Sequence, residues 1–273
     1  LRQEPRNEAG RTDKIMYYFA SDIHLGAGDA EAARAVERRF VAWLDTVSRD
    51  AEAIFLVGDI FDFWFEYRRV VPKGFVRALG KLAELTDRGV RVVFFKGNHD
   101  LLVGDYLACE CGMEIYTSPQ AMTLAGKKVF IAHGDNMNID GQPLLKLLNR
   151  VFRSRTLKWL FSWGVHPDLA LKFGHWWSGK SRKRHGAGAD RRAALTEPCT
   201  GPVEEPGTGS LIEYAREYAQ THKVAHFVFG HMHFPRDFRE GNFHVVNLGC
   251  WAENPSYAEL DAAGEMTLKM YTS

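Results

Sequence analysis

The chain is poor in several things, and each shortage excludes something. It has four cysteines in 273 residues, Cys109, Cys111, Cys199 and Cys250. They are too few and too scattered for a disulfide scaffold. Cys109 and Cys111 form C-x-C, which is not a zinc ribbon, so free thiols in a reducing compartment are expected. No apolar run reaches the roughly 18 to 20 residues that a membrane-spanning helix needs. The first fourteen residues, LRQEPRNEAGRTDK, have no apolar segment and are expected to form a disordered tail, not a secretory signal. Net charge is almost absent, with 35 Lys and Arg against 34 Asp and Glu. There is no internal repeat. There is no P-loop either, which disfavours nucleotide-driven phosphoryl transfer. What is present is ordinary globular material, 45% hydrophobic and 25% charged, which excludes wholesale disorder.

From Ile15 the chain alternates. The apolar runs IMYYFAS, AIFLVG and VRVVFFKG are separated by helical stretches at about Ala30–Val47 and Lys73–Arg88, and a short helix near Val103–Glu110 follows. Such β-α-β alternation predicts an α/β fold with a buried sheet. After Gln120 the pattern changes to strands joined by glycine-containing turns, beginning with MTL-AGKK-VFIAHG and its Gly126. The two halves of the chain are therefore expected to give two sheets, packed face to face. Residues 15–142 and 210–273 read as one core. Residues 143–209 read as an inserted helical cap, ending in a mobile loop, TEPCTGPVEEPGTGS.

Five short polar motifs each follow an apolar run: Asp22-Ile23-His24, Gly58-Asp59, Gly97-Asn98-His99-Asp100, His133-Gly134-Asp135 and Gly230-His231-Met232-His233. Ligands of open α/β sheets bind at the carboxyl ends of strands, so all five are expected along one rim. Carboxylate, amide oxygen and imidazole without thiolate suit a pair of Mn, Fe, Co or Zn ions better than an all-oxygen Mg or Ca cage. D-x-H and H-x-H are expected to place two side chains on one side of an extended backbone. Asp59 is a candidate to bridge two ions through its two oxygens. Any one motif alone is weak, because a polar turn explains it. Five in order are not explained that way.

Together the motifs D-x-H, GD, GNH[D], HGD and GH-x-H resemble the calcineurin-like metallophosphoesterase superfamily, over about residues 15–260. The resemblance implies a sandwich of two mixed β-sheets flanked by helices. It implies that Asp22, His24, Asp59 and His233 hold one metal, and that Asp59, Asn98, His133 and His231 hold the second. It makes His99 a near-phosphate residue that protonates the leaving group or stabilises the transition state, with Asp100 orienting it. Two divalent ions, Mn foremost, would activate a water and polarise the phosphoryl oxygens.

Gly58-Asp59-Ile60-Phe61-Asp62-Phe63-Trp64 is more aromatic than a GD motif requires. It is similar to the motif of the UDP-2,3-diacylglucosamine pyrophosphohydrolases of lipid A synthesis, which release 2,3-diacylglucosamine 1-phosphate and UMP. Those enzymes also carry a basic, hydrophobic insertion after HGD. By that resemblance Trp64, Asn98, Asn136, Asp140, Lys180, Ser181 and Arg182 are candidate substrate contacts. For Phe61-Asp62-Phe63-Trp64, core packing is the competing reading. The chain departs from the common GNRD pattern by having His99, which keeps a related substrate open.

The insertion carries its own signal. Residues 143–192 hold 12 basic residues against Asp168 and Asp190, and four of the seven Trp. On a helical projection Lys146, Arg150 and Arg153 share one face, and Leu144, Leu145, Leu148, Val151 and Phe152 the other. A basic amphipathic helix suits the anionic inner-membrane surface, or the wall of an acyl pocket whose cations hold a diphosphate. The expectation is a cytoplasmic enzyme, peripheral on the inner membrane, acting on a lipid-linked nucleotide. The alternative is another dimetal phosphoesterase acting on a nucleotide, a phosphoprotein or a nucleic acid. Nucleic acid is the weaker option, because the positive charge is concentrated in one insert and not spread along a groove. A non-catalytic scaffold is disfavoured, because every expected ligand is present.

Overall fold

The computed structural model describes residues 15–67, 69–100, 102–135, 137, 166, 169, 199–200 and 208–272. The helix expected around Arg150, and the candidate contacts Asn136, Asp140, Lys180, Ser181 and Arg182, lie outside the described residues.

One sheet contains β1 (Met16–Ala20), β2 (Ala51–Val57), β3 (Arg91–Phe95), β4 (Glu114–Tyr116), β11 (Ser256–Leu260) and β12 (Met266–Met270). Its order is β12-β11-β1-β2-β3-β4, with β1 to β4 parallel and β11 antiparallel to β1. The other contains β5 (Gln120–Leu124), β6 (Lys127–Ala132), β7 (Cys199–Thr200), β8 (His226–Phe229), β9 (Pro235–Glu240) and β10 (Phe243–Leu248). Its order is β5-β6-β8-β10-β9-β7, with β6, β8 and β10 mutually parallel. The expected division into one sheet per half of the chain needs correction. The last hairpin, β11–β12, crosses back and pairs with β1. Without it β1, whose Phe19 and Ala20 are fully buried, would leave an apolar edge unpaired.

The apolar run of β2 is continuous because both faces of its sheet are covered. Phe55 and Val57 point into the layer between the sheets, with Phe19, Val93 and Phe95 on their side and Val129, Ile131, Val228, Val246 and Leu248 opposite. Ile54 and Leu56 point the other way, into a cluster with Phe40, Trp43 and Leu44 of helix α1 (Ala30–Val47) and Leu82 and Leu85 of helix α2 (Val76–Asp87). Helix α1 begins where the side chain of Asp29 accepts from Glu31 N and Ala32 N. Helix α2 begins later than Lys73, after Phe75 in a left-handed conformation, φ 59°. The Phe75 ring packs on Phe61 and Trp64, and Glu37 of α1 accepts from Arg77 N and Ala78 N, satisfying first-turn amides that the sequence gives no local cap. The short α3 (Tyr106–Cys111) ends at Gly112. Helix α4 (Thr208–Thr221) covers the second sheet, placing Leu211 and Ala215 with Phe227 and Phe229. The β5–β6 turn has both central residues left-handed, Ala125 at φ 46° and Gly126 at φ 72°, as a two-residue hairpin of this twist needs.

Candidate metal centre

Each motif leaves the carboxyl end of a parallel strand. Asp22 and His24 follow β1, Asp59 follows β2, Asn98 and His99 follow β3, His133 follows β6, and His231 and His233 follow β8. The first two loops are zipped backbone to backbone, by Asp22 N to Gly58 O at 3.1 Å, His24 N to Asp59 O at 3.0 Å and Leu25 N to Ile60 O at 2.9 Å. Within the second sheet Gly230 N donates to His133 O, and across the gap between the sheets Trp251 N donates to Asp22 O.

The expected extended backbone at D-x-H and H-x-H is not found. Asp22, His24, Asp59, His231 and His233 all have positive φ, between 50° and 70°. That region is sparsely populated by residues other than glycine, and it clusters at functional sites. The paired side chains converge because the chain turns sharply at each, not because a strand alternates.

The two carboxylates are arranged alike. Asp22 Oδ2 accepts from His231 N at 2.9 Å, and Asp59 Oδ1 accepts from His99 N at 2.8 Å. In each case the other oxygen, Asp22 Oδ1 or Asp59 Oδ2, is buried without a hydrogen-bond donor. Asp22 Oδ1 lies 3.3 Å from His233 Nε2 and 3.8 Å from His24 Nε2, and the two Nε2 atoms are 3.2 Å apart. Asp59 Oδ2 lies 3.3 Å from His133 Nε2, which is 3.2 Å from Asn98 Oδ1. His231 joins Asp59 and His133 in a second group of converging ligand atoms. Ligands held about 2.0–2.2 Å from one ion sit about 3–3.5 Å from each other. These lone pairs, crowded at that spacing inside the protein, fit cations and little else.

The electrostatics agree. Burial opposes charge on Asp22, but the His233 imidazole beside it holds the carboxyl down to about 2. Burial likewise opposes charge on Asp59, and His133 and His99 hold it well below the usual range. Burial pushes His24 down to about 3, leaving a neutral imidazole. His133 goes the other way: burial disfavours its charge, but the Asp59 carboxylate raises it well above an ordinary histidine.

Backbone carbonyls fix the ring tautomers. His133 Nδ1 donates to Val57 O at 2.9 Å and His99 Nδ1 donates to Asp62 O at 2.8 Å, so both Nε2 atoms face the centre. His99 Nε2 is 3.8 Å from Asp59 Oδ2. The role expected of Asp100 needs correction. Its oxygens accept from Gly97 N at 2.6 Å and Ile60 N at 2.9 Å. It ties the GNHD loop to the GD loop, while the carbonyl of Asp62 orients the His99 ring. Burial, with Asp59 nearby, pushes Asp100 up to about 7. Two glycines complete the cradle. A Cβ on Gly97 would meet Asp59 N at 2.6 Å, and one on Gly230 would meet Asp22 Oδ2 at 2.7 Å.

Trp64 does not wall this centre. It is fully buried beside Phe61, Phe75 and Tyr106, and its Nε1 donates to Glu66 Oε1 at 2.9 Å. Phe61 and Trp64 turn into the helix-side core, so core packing is the reading that fits these two, while Phe63 is half-buried. Sequence reasoning missed Asp62, whose Oδ1 is 3.9 Å from His24 Nδ1. It also missed Cys250, whose sulfur converges with His24 and His233. For Asp62 the signal was its spacing of three from Asp59. Cys250 lay in no motif, although it follows a strand.

The parallel strand ends, the paired carboxylates and the imidazoles around them define a metal-dependent phosphoesterase site, and the chain belongs to the calcineurin-like phosphoesterase family, matched over residues 16–235. Among curated relatives, the UDP-2,3-diacylglucosamine hydrolase of Porphyromonas gingivalis is 37% identical, over 89% of this chain and 93% of the relative. That of Haemophilus influenzae is 28% identical, over 91% and 96%. Among solved structures, an archaeal phosphodiesterase superposes with a TM-score of 0.44 at 12% identity, covering 94% of this chain and 99% of that one.

Proposed function

We infer that the protein is a UDP-2,3-diacylglucosamine hydrolase, cleaving the pyrophosphate to give 2,3-diacylglucosamine 1-phosphate and UMP. The single observation that carries the chemistry is the pair of buried, donorless carboxylate oxygens facing imidazole nitrogens at 3.3 Å. The substrate comes from the relatives, led by one at 37% identity over nearly the whole of both chains.

Asp22, His24, His233 and Asp59 would hold one divalent ion, and Asp59, Asn98, His133 and His231 the second, with Mn the first to try. When bound, the ions supply Lewis acidity and lower the pKa of water at the reacting phosphorus. The chain's own groups do the rest. Asp22 and Asp59 stay ionised and hold position through the amides of His231 and His99. His99 presents Nε2 to the centre, and as an imidazolium it can pass the Nε2 proton to the leaving phosphate oxygen.

The basic insert at 143–192, with Lys180, Ser181 and Arg182, would hold the diphosphate and the acyl chains and rest on anionic lipid. Asn136 and Asp140, just past HGD, would contact the sugar or nucleotide. Among the described residues no helix is long and apolar enough to cross a membrane. The test is UMP release from UDP-2,3-diacylglucosamine by the Mn-loaded protein, beside an aryl phosphodiester and DNA. UMP release is the expected result. Activity confined to the aryl ester or DNA overturns the substrate. Reversing charge at Arg150 and Arg153 is expected to weaken binding to anionic vesicles, and unchanged binding overturns the membrane role.

A further inference from the structure

Strand β10 is parallel to β8 and β6, so its carboxyl end opens on the same rim as the GH-x-H and HGD loops. Two residues past its end stands Cys250, which is buried, with no disulfide partner. Its sulfur, a ring nitrogen of His24 and a ring nitrogen of His233 all lie within 4.8 Å of one another. Its position is built. Trp251 N, the next amide, donates to Asp22 O at 3.0 Å, pinning this loop to the D-x-H loop. Glu253 N and Asn254 N donate to Cys250 O, at 3.4 and 3.0 Å, and close the turn behind it. A Cβ on Gly249, φ 76°, would strike Ser256 Oγ at 2.6 Å, so the turn that delivers Cys250 has no room for another residue. An independent observation points to a ligand here. Asp22 Oδ1, fully buried and without a hydrogen-bond donor, is aimed at the same two imidazoles.

We propose that Cys250 supplies a sulfur donor to the ion held by Asp22, His24 and His233, and biases that position toward a thiophilic divalent ion, Zn or Co, over Mn. The proposal rests on the metal-centre reading given above. Oxygen and imidazole donors accept any of the first-row ions, whereas sulfur discriminates among them by softness. The second position, with Asn98, His133 and His231, has no sulfur in its group among the described residues. The two positions would then differ in the metal they prefer. On loading, the sulfur ligates as thiolate and its proton passes to solvent.

The test loads the metal-free full chain with Co(II) under nitrogen. The visible d–d bands report Co binding of any kind, and a near-ultraviolet sulfur-to-cobalt charge-transfer band reports the thiolate. Wild type is expected to show both. Cys250→Ser is expected to keep the d–d bands and lose the charge-transfer band. Its affinity for Co and Zn is expected to fall on the order of tenfold, with that for Mn nearly unchanged. Cys109→Ser is expected to keep both bands. A charge-transfer band that survives in Cys250→Ser, or d–d bands without one in wild type, overturns the sulfur ligand and leaves the metal centre standing. The absence of d–d bands in wild type overturns both. X-ray absorption on Zn-loaded wild type needs no variant: a sulfur scatterer at about 2.3 Å is expected, and a shell of nitrogen and oxygen alone overturns the proposal.

Discussion

The two sheets bring different chemistry to the rim they share. The first supplies both carboxylates, Asp22 and Asp59, together with His24, Asn98 and His99, on loops zipped by backbone hydrogen bonds. The second supplies the imidazoles of His133, His231 and His233, with Cys250 just past β10. Anions sit on one side of the seam and most of the nitrogen ligands on the other. Within the site the links across it are His231 N to Asp22 Oδ2, His133 Nδ1 to Val57 O and Trp251 N to Asp22 O. A cation bound there would join the two sheets as well as serve the chemistry. Metal loading is therefore expected to raise the unfolding temperature.

The largest break in this arrangement comes at Asp59. Asp59→Asn keeps an oxygen for His99 N and removes the charge that faces His133. Turnover is expected to fall on the order of 10³-fold, with loss of bound metal, read by UMP release and elemental analysis. Wild-type turnover would refute a carboxylate shared across the seam. Away from the seam, Trp64→Ala is expected to cost about 3–5 kcal/mol of unfolding free energy in a denaturant titration. Trp64→Phe is expected to leave KM unchanged. A raised KM there would return Trp64 to the substrate.

The glycines sharpen the contrast further. Gly97→Ala presses on Asp59 within the first sheet's rim, and Gly230→Ala presses on Asp22 and Ser21 across the seam. Each is expected to destabilise by about 1–3 kcal/mol and to weaken metal binding, by calorimetry. Gly80→Ala on the exposed face of α2, where a Cβ meets nothing within 4 Å, is the control and is expected to stabilise by about 0.5–1 kcal/mol.

The smallest effect lies far from the centre, at His226. Burial pushes this histidine down, and its Nε2 donates to Gly264 O at 3.0 Å. A depressed folded pKa means that the unfolded chain binds the extra proton first. Stability from His226 is whole above the ordinary histidine value, about 6.5, and is lost as pH falls below it. His226→Gln is expected to flatten that limb of a stability-against-pH curve. An unchanged slope would place the titration elsewhere.

Much of this was legible in the sequence, and the failures have physical causes. Helix α1 could be read to its last residue, because Asp29 caps it locally and its apolar face repeats. Helix α2 could not, because Glu37 and the Phe75 ring set its start from outside the segment. The seven candidate ligands stood out by residue type and by following apolar runs. Their left-handed backbone did not, because nothing in Asp or His announces φ above zero. Trp64 was misread because an aromatic beside a polar motif looks the same whether it turns inward or outward. The return of β11 to β1 depends on which edge needs cover, and that is settled only when both sheets exist.

The central claim is that cations would sit across the seam, on Asp22, His24 and His233 at one end and on Asn98, His133 and His231 at the other, with the Asp59 carboxylate between. Anomalous diffraction from crystals of the metal-loaded protein tests it directly. Two peaks per chain are expected, one beside each group and both within ligand distance of the Asp59 carboxylate. A single peak, or peaks that leave either sheet's residues without contact, would contradict the account.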